Sequence, residues 1–149
     1  MGFRRKSREL ALQVLFQDDF CPGQDGPTAR VSILKKAVSQ VRSFAELLVE
    51  GVFLHRDEID LIIGRYTENW SPERMALIDR CVLRFSTFEL LYLEEIPPKV
   101  TINEAIEIAK KYGNEDSGAF VNGILDHIHQ DLTPLRAGHQ KIETSGDAD

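Results

Sequence analysis

MALIDRCVLRFSTFELLYL, residues Met75–Leu93, places thirteen apolar side chains in nineteen positions, on nearly every face of a helical wheel. A helix that is apolar all round is buried on several sides. Its length alone would admit a membrane span, but Asp79, Arg80, Arg84 and Glu89 interrupt it, and ionisable groups at bilayer depth are costly. The stretch therefore reads as a central core helix with one narrow polar strip. Ser71 is placed to cap its start, and Pro72 suits a first helical position because no N–H is needed there. Ile96-Pro97-Pro98 ends it.

Downstream, Thr101-Ile102-Asn103-Glu104 has the form of a capping box, threonine at the cap and glutamate three residues on. Ile102, Ala105, Ile106, Ala109 and Tyr112 make the buried stripe of that helix, and Gly113 is read as its left-handed stop. Lys110 and Lys111 suit the negative end of the helix dipole. A last helix starts near Asp116-Ser117, with Val121, Ile124, Leu125, Ile128 and Leu132 on one face and Phe120 off it, as an exposed aromatic. Upstream, Leu10, Ala11, Val14 and Leu15 mark a helix over residues 7–17. Residues 21–29, CPGQDGPTA, read as a loop, followed by helical runs from Ser32, from Phe44 and over Asp57–Tyr66. Gly51 is a candidate for a close helix crossing, and Trp70 for a lid on a core edge. No segment alternates with period two. The expected fold is all-α, a single compact domain of about seven helices over residues 1–134, with residues 135–149 a disordered polar tail.

Composition is ordinary for a soluble domain large enough to bury its own core, at 42% hydrophobic and 28% charged. Cys21 and Cys81 lie far apart, which points to a reducing compartment rather than a disulfide framework. The start, MGFRRKSREL, lacks the apolar core of a secretory signal, so a cytoplasmic location is expected. The net charge of −6 hides an asymmetry: Arg4, Arg5, Lys6 and Arg8 stand without an acid in the first eight residues, while the remainder holds 14 basic and 24 acidic residues. An acidic body with a basic arm is a poor general polyanion binder but suits local contact with nucleic acid. Helix N-terminal N–H groups reinforce that attraction.

Catalytic signatures are missing from the sequence. It carries no Walker loop, GxGxxG, HExxH, CxxC pair or nucleophile elbow, and no cofactor or metal site is expected. His127 and His129 are two apart, so on a helix they point about 200° away from each other and cannot share a metal.

RRKSRELALQVLF, IDRCVLRFSTFELLYL and IPPKVTINEAIEIAKKYGNEDSGAFVNGILD resemble the NusB family of bacterial transcription antitermination factors over nearly the whole folded part. The same helical domain occurs fused to RNA methyltransferase units, for which 149 residues leave no room, so the stand-alone factor is favoured. The resemblance implies two packed helical bundles and no catalysis. It also implies binding of boxA, a short single-stranded RNA element, with the ribosomal protein NusE, to load an antitermination complex on RNA polymerase during ribosomal RNA synthesis. Matched by motif, Arg4, Arg5, Lys6 and Arg8 fall in the family's arginine-rich RNA-binding start, and Phe16 where the family carries an aromatic. Tyr112, Asp116, Phe120 and Asn122 fall in its second RNA-contacting segment, YGNEDSGAFVNG, and Asp79, Arg80 and Arg84 in the strip that faces the ribosomal protein. Gly118-Ala119 stands where many members carry a basic residue, so an RNA contact is expected to be lost there. Some members form homodimers that cover the RNA surface, a role open to Phe120 and Tyr112.

Residue chemistry agrees with the resemblance. Single-stranded RNA is held by bases stacked on aromatics and phosphates held by cations. Phe16, Tyr112 and Phe120 are the stacking candidates; Asp116 either accepts from a base edge or caps the last helix. Four engaged phosphates give a log–log salt slope of about −3 for a single strand. The competing expectation is a helical protein-interaction module whose basic arm is incidental.

Overall fold

A computed structural model describes residues 2–20, 32–67 and 74–138. Regular structure among these residues is all helical: α1 (Phe3–Phe20), α2 (Ser39–Leu54), α3 (Arg56–Arg65), α4 (Leu77–Tyr92), α5 (Pro98–Tyr112) and α6 (Ser117–Gln130), with shorter helical turns at 32–35 and 132–138. No described helix is long and apolar enough to cross a membrane.

Helix α4 is the centre. Every residue from Cys81 to Leu91 is buried, as the all-round apolar pattern requires. Helices α1, α2 and α3 pack on one side of it and α5 and α6 on the other, giving two bundles that share α4. Gly51 of α2 allows the closest approach: a β-carbon there would fall on the Phe88 ring of α4. One core runs through both bundles, from Ala11, Leu48 and Ile63 through Phe85 to Ile108, Leu125 and Ile128.

Several boundaries differ from the expectations. Helix α4 begins at Leu77, capped by Ala76 without a side-chain hydrogen bond; the expected start at Ser71-Pro72 lies outside the described residues, as do the expected loop at 21–29 and the Trp70 lid. Helix α5 begins three residues before Thr101, because Pro98 at its first position requires no N–H partner. Thr101 and Glu104 are thus released from capping. Gly113 has φ −94° and ψ −156°, an extended rather than a left-handed stop. A side chain at Gly113 is excluded by contact: its β-carbon would fall on Ser117 Oγ. The chain also stays helical beyond residue 134, with Leu135 against the core and Arg136 Nε donating to Leu90 O at 2.9 Å. Residues 139–149 lie outside the described part.

Candidate nucleic-acid interface

The basic start of α1 divides into two environments one helical turn apart. Arg4 and Lys6 are exposed, and the Arg4 guanidinium carbon lies 5.0 Å from the centre of the Phe44 ring. Arg5 is half-buried and forks Glu104 of α5, with Nε donating to Oε1 at 2.5 Å and Nη2 to Oε2 at 2.6 Å. The fork, above all its hydrogen bonds, raises the Arg5 pKa and holds the Glu104 carboxyl below the usual carboxylate range. Arg8, one turn further, is 1% exposed. Its Nε and Nη2 fork Glu89 of α4 at 2.8 and 2.7 Å, and Thr101 Oγ1 donates to the same carboxylate at 3.1 Å. Arg8 is therefore corrected from an RNA contact to an internal tie between α1 and α4. The reason is physical: Glu89, 1% exposed in the core, needs a buried counter-charge.

A cavity of about 610 Å³ opens along the outer face of α1. Lys6, Leu10, Phe16 and Phe20 of α1 line it, with Ile78 at the start of α4 and Tyr112 at the end of α5. Phe16 stacks on Phe20 with centroids 5.8 Å apart and planes 8° from parallel. Opposite, Tyr112 Oη donates to Glu9 Oε2 at 2.9 Å, and Lys111 Nζ donates to the same oxygen at 2.8 Å, which raises the Lys111 pKa. Lys6, Phe16 and Tyr112, from distant parts of the sequence, thus meet in one groove.

The second segment follows Tyr112 into α6. Asp116 and Asn122 are exposed, and Asp116 precedes α6 without a side-chain capping bond, so the capping reading of its carboxylate fails. Its own N–H donates to Asn114 Oδ1 at 2.8 Å. Phe120, expected as an exposed aromatic, is half-buried against the core. At Gly118, a β-carbon would lie 2.9 Å from Lys110 Cγ, so the Lys110 stem crosses α6 at the position where loss of a basic contact was expected. A cation from the neighbouring helix thereby reaches that face.

The strip expected to face a protein partner is mostly internal. Asp79 and Arg84 are buried. Arg84 Nε and Nη2 fork Asp60 at 2.8 and 2.9 Å, while Nη1 reaches Asp19 at 3.2 Å. Burial works against the Arg84 charge, but the carboxylates outweigh it and its pKa rises. Arg80 and Arg56 also pair with Asp19, at 2.6 and 3.2 Å, so Asp19 gathers three guanidiniums at the end of α1. Asp79 Oδ1 has no hydrogen-bond partner among the described residues. Burial raises the Asp79 pKa, and a hydrogen bond from Ser117 only partly offsets it. Burial likewise pushes the Cys81 thiol up to about 12. Asp19 and Asp60 were missed in the sequence, and Glu89 and Glu104 read there only as a polar interruption and a capping residue, because their partners lie 24 to 99 residues away. Phe20 was missed because the sequence reading ends the helix at residue 17; its spacing of four from Phe16 is the signal that could have found it.

No group of His, Cys, Asp and Glu among the described residues has the arrangement of a metal site. Fold and groove together define a class, an all-helical binding scaffold with cations and aromatics along one cleft. The NusB family model matches residues 5–130. The chain belongs to the NusB family. It is 49% identical over 134 residues to the transcription antitermination protein NusB of Geobacter sulfurreducens, covering 89% of this chain and 97% of that one. The Myxococcus xanthus protein of the same name is 47% identical, with 86% and 95% covered. Among solved structures, T. maritima NusB superposes with a TM-score of 0.80 at 43% identity, covering 85% of this chain and 90% of that one. A NusB in a structure of antitermination factors NusB and NusE with dsRNA gives 0.78 at 28% identity, covering 88% and 98%.

Proposed function

We propose that this chain is a non-catalytic transcription antitermination factor that binds boxA-type single-stranded RNA together with NusE. It acts within the RNA polymerase antitermination complex during ribosomal RNA synthesis. The observation that carries the reading is the groove, which Lys6, Phe16, Phe20 and Tyr112 line together, with the exposed Arg4 at the Lys6 end of α1. Aromatics there offer stacking worth about 1–3 kcal/mol per base, and the cations hold phosphates. The NusB relative assembled with NusE and dsRNA supports the pairing of NusE and RNA as partners. For the NusE contact, the accessible edge of the Asp19 cluster is Arg56, with Arg80 behind it; Arg84 acts from inside by tying α4 to α1 and α3 through Asp19 and Asp60.

With Arg8 internal, three cations remain to engage phosphates. The expected salt slope falls to about −2, a roughly twentyfold loss of affinity between 50 and 200 mM salt. The test is anisotropy of a labelled boxA-like RNA, with a duplex of the same sequence in parallel, before and after NusE is added. Tightening with NusE on the single strand, lost in Arg4→Ala/Lys6→Ala, is the expected result. Preference for the duplex would replace the single-strand reading. Absence of binding to either RNA, with the fold intact by circular dichroism, would leave a protein-interaction module.

A further inference from the structure

Arg5 and Glu104 occupy each other's best hydrogen-bonding edge. The Nε–Nη2 edge of a guanidinium is one that forks a phosphate, and here it faces the two Glu104 oxygens at 2.5 and 2.6 Å. A phosphate can take that edge only if Glu104 leaves it. Where Glu104 would go is also visible: its Oε1 already lies 3.7 Å from Arg8 Nη1, a second guanidinium whose other edge is committed to Glu89. Losing Arg5 therefore does not strand the carboxylate without a counter-charge.

We infer that Glu104 is an affinity-setting latch, a carboxylate that competes with an RNA phosphate for Arg5 and withdraws onto Arg8 when the RNA binds. The inference rests on the RNA-binding reading proposed above. Exchange is feasible because the pair is only half-buried, with side chains 34% and 22% exposed, unlike Arg8 and Glu89 at 2% and 0%. The latch also acts as a filter. A lone phosphate gains one fork and must displace another, whereas an RNA strand gains Arg4, Lys6 and the aromatic groove at the same time. Arg5 answers to a polymer and not to a single anion.

Glu104→Gln removes the competing charge and keeps the side-chain shape. It is expected to tighten binding of a labelled boxA-like RNA roughly two- to fivefold, the scale of a part-exposed ion pair. Glu50→Gln, the same change at an exposed site on α2, is expected to leave affinity unchanged. In an Arg5→Ala background, Glu104→Gln should give no gain. Weaker binding by Glu104→Gln would overturn the latch and make Glu104 a support for Arg5. An equal gain in Glu50→Gln would overturn it in favour of overall charge. Binding by neither parent nor variant overturns the RNA reading and the latch with it, whereas binding by the parent with no gain in the variant overturns the latch alone. Should the variant fold poorly, nuclear magnetic resonance on the parent chain reads the same exchange. The Arg5 Nε–H and Glu104 carboxyl resonances should both move on saturation with RNA, and an unmoved Arg5 Nε–H would overturn the proposal.

Discussion

Two arginines one turn apart on α1 make the same bidentate contact with a glutamate and end in opposite roles. Arg8 and Glu89 are sealed between α1 and α4, with Thr101 taking part, while Arg5 and Glu104 form their fork at the edge of the groove. A buried pair contributes little net stability when it forms, yet removing one partner leaves an uncompensated charge. An exposed pair contributes little in either direction. Burial, and not chemistry, therefore separates the architectural arginine from the exchangeable one. The largest effect expected in the molecule tests this directly. Arg8→Ala should lower stability in urea denaturation by about 3–5 kcal/mol, whereas Arg5→Ala should cost no more than about 1 kcal/mol. Equal losses would break the distinction.

That distinction was invisible in the sequence, where Arg4, Arg5, Lys6 and Arg8 form one basic run. The fold itself was legible, because Met75–Leu93 is apolar on nearly every face and only a helix surrounded by others can bury it. Phe16, Lys6 and Tyr112 were legible as binding candidates too, and the fold brings them together. What failed were judgements on charged groups that depend on partners far along the chain. Thr101 and Glu104 matched a capping box by spacing, but Pro97-Pro98 starts α5 earlier and turns both toward the arginines of α1. Asp79, Arg80 and Arg84 looked like an exposed strip because nothing nearby in sequence announces Asp19 and Asp60. Local pattern fixes a helix and its apolar face; which of its charges are sealed in depends on what packs across it.

Two carboxylates sharpen the comparison through pH. Glu104 has a depressed pKa, so its pairing stabilises the fold above the ordinary carboxylate range, and that contribution disappears as pH falls through its folded value. Asp79 is raised by burial and pairs with no guanidinium among the described residues. Its charge opposes folding above its folded pKa, and the opposition fades as the pH falls and the carboxyl takes up a proton. Asp79→Asn should therefore raise stability at neutral pH by up to about 1 kcal/mol, the scale of one buried polar group. That gain should vanish in acid. Melting temperatures measured from neutral to acid pH should converge for Asp79→Asn and the parent chain. A gain unchanged in acid would show that Asp79 is not ionised in the folded protein.

The smallest effect concerns Glu9, the third acid set against the basic edge. Its Oε2 accepts from both Lys111 Nζ and Tyr112 Oη, so it holds a cation and an aromatic at the mouth of the groove. Lys111 stands in solvent, and its ammonium also lies 5.2 Å from the Tyr112 ring centre, so the pair survives without Glu9. Glu9→Gln can still accept from Tyr112 but no longer attracts Lys111 by charge. Stability in urea should stay within about 0.5 kcal/mol of the parent. RNA affinity should shift less than in Glu104→Gln, because Glu9 engages no fork that a phosphate needs. A shift as large as that of Glu104→Gln would mean that any acid beside the groove limits RNA binding, and the special position of the Arg5 fork would be lost.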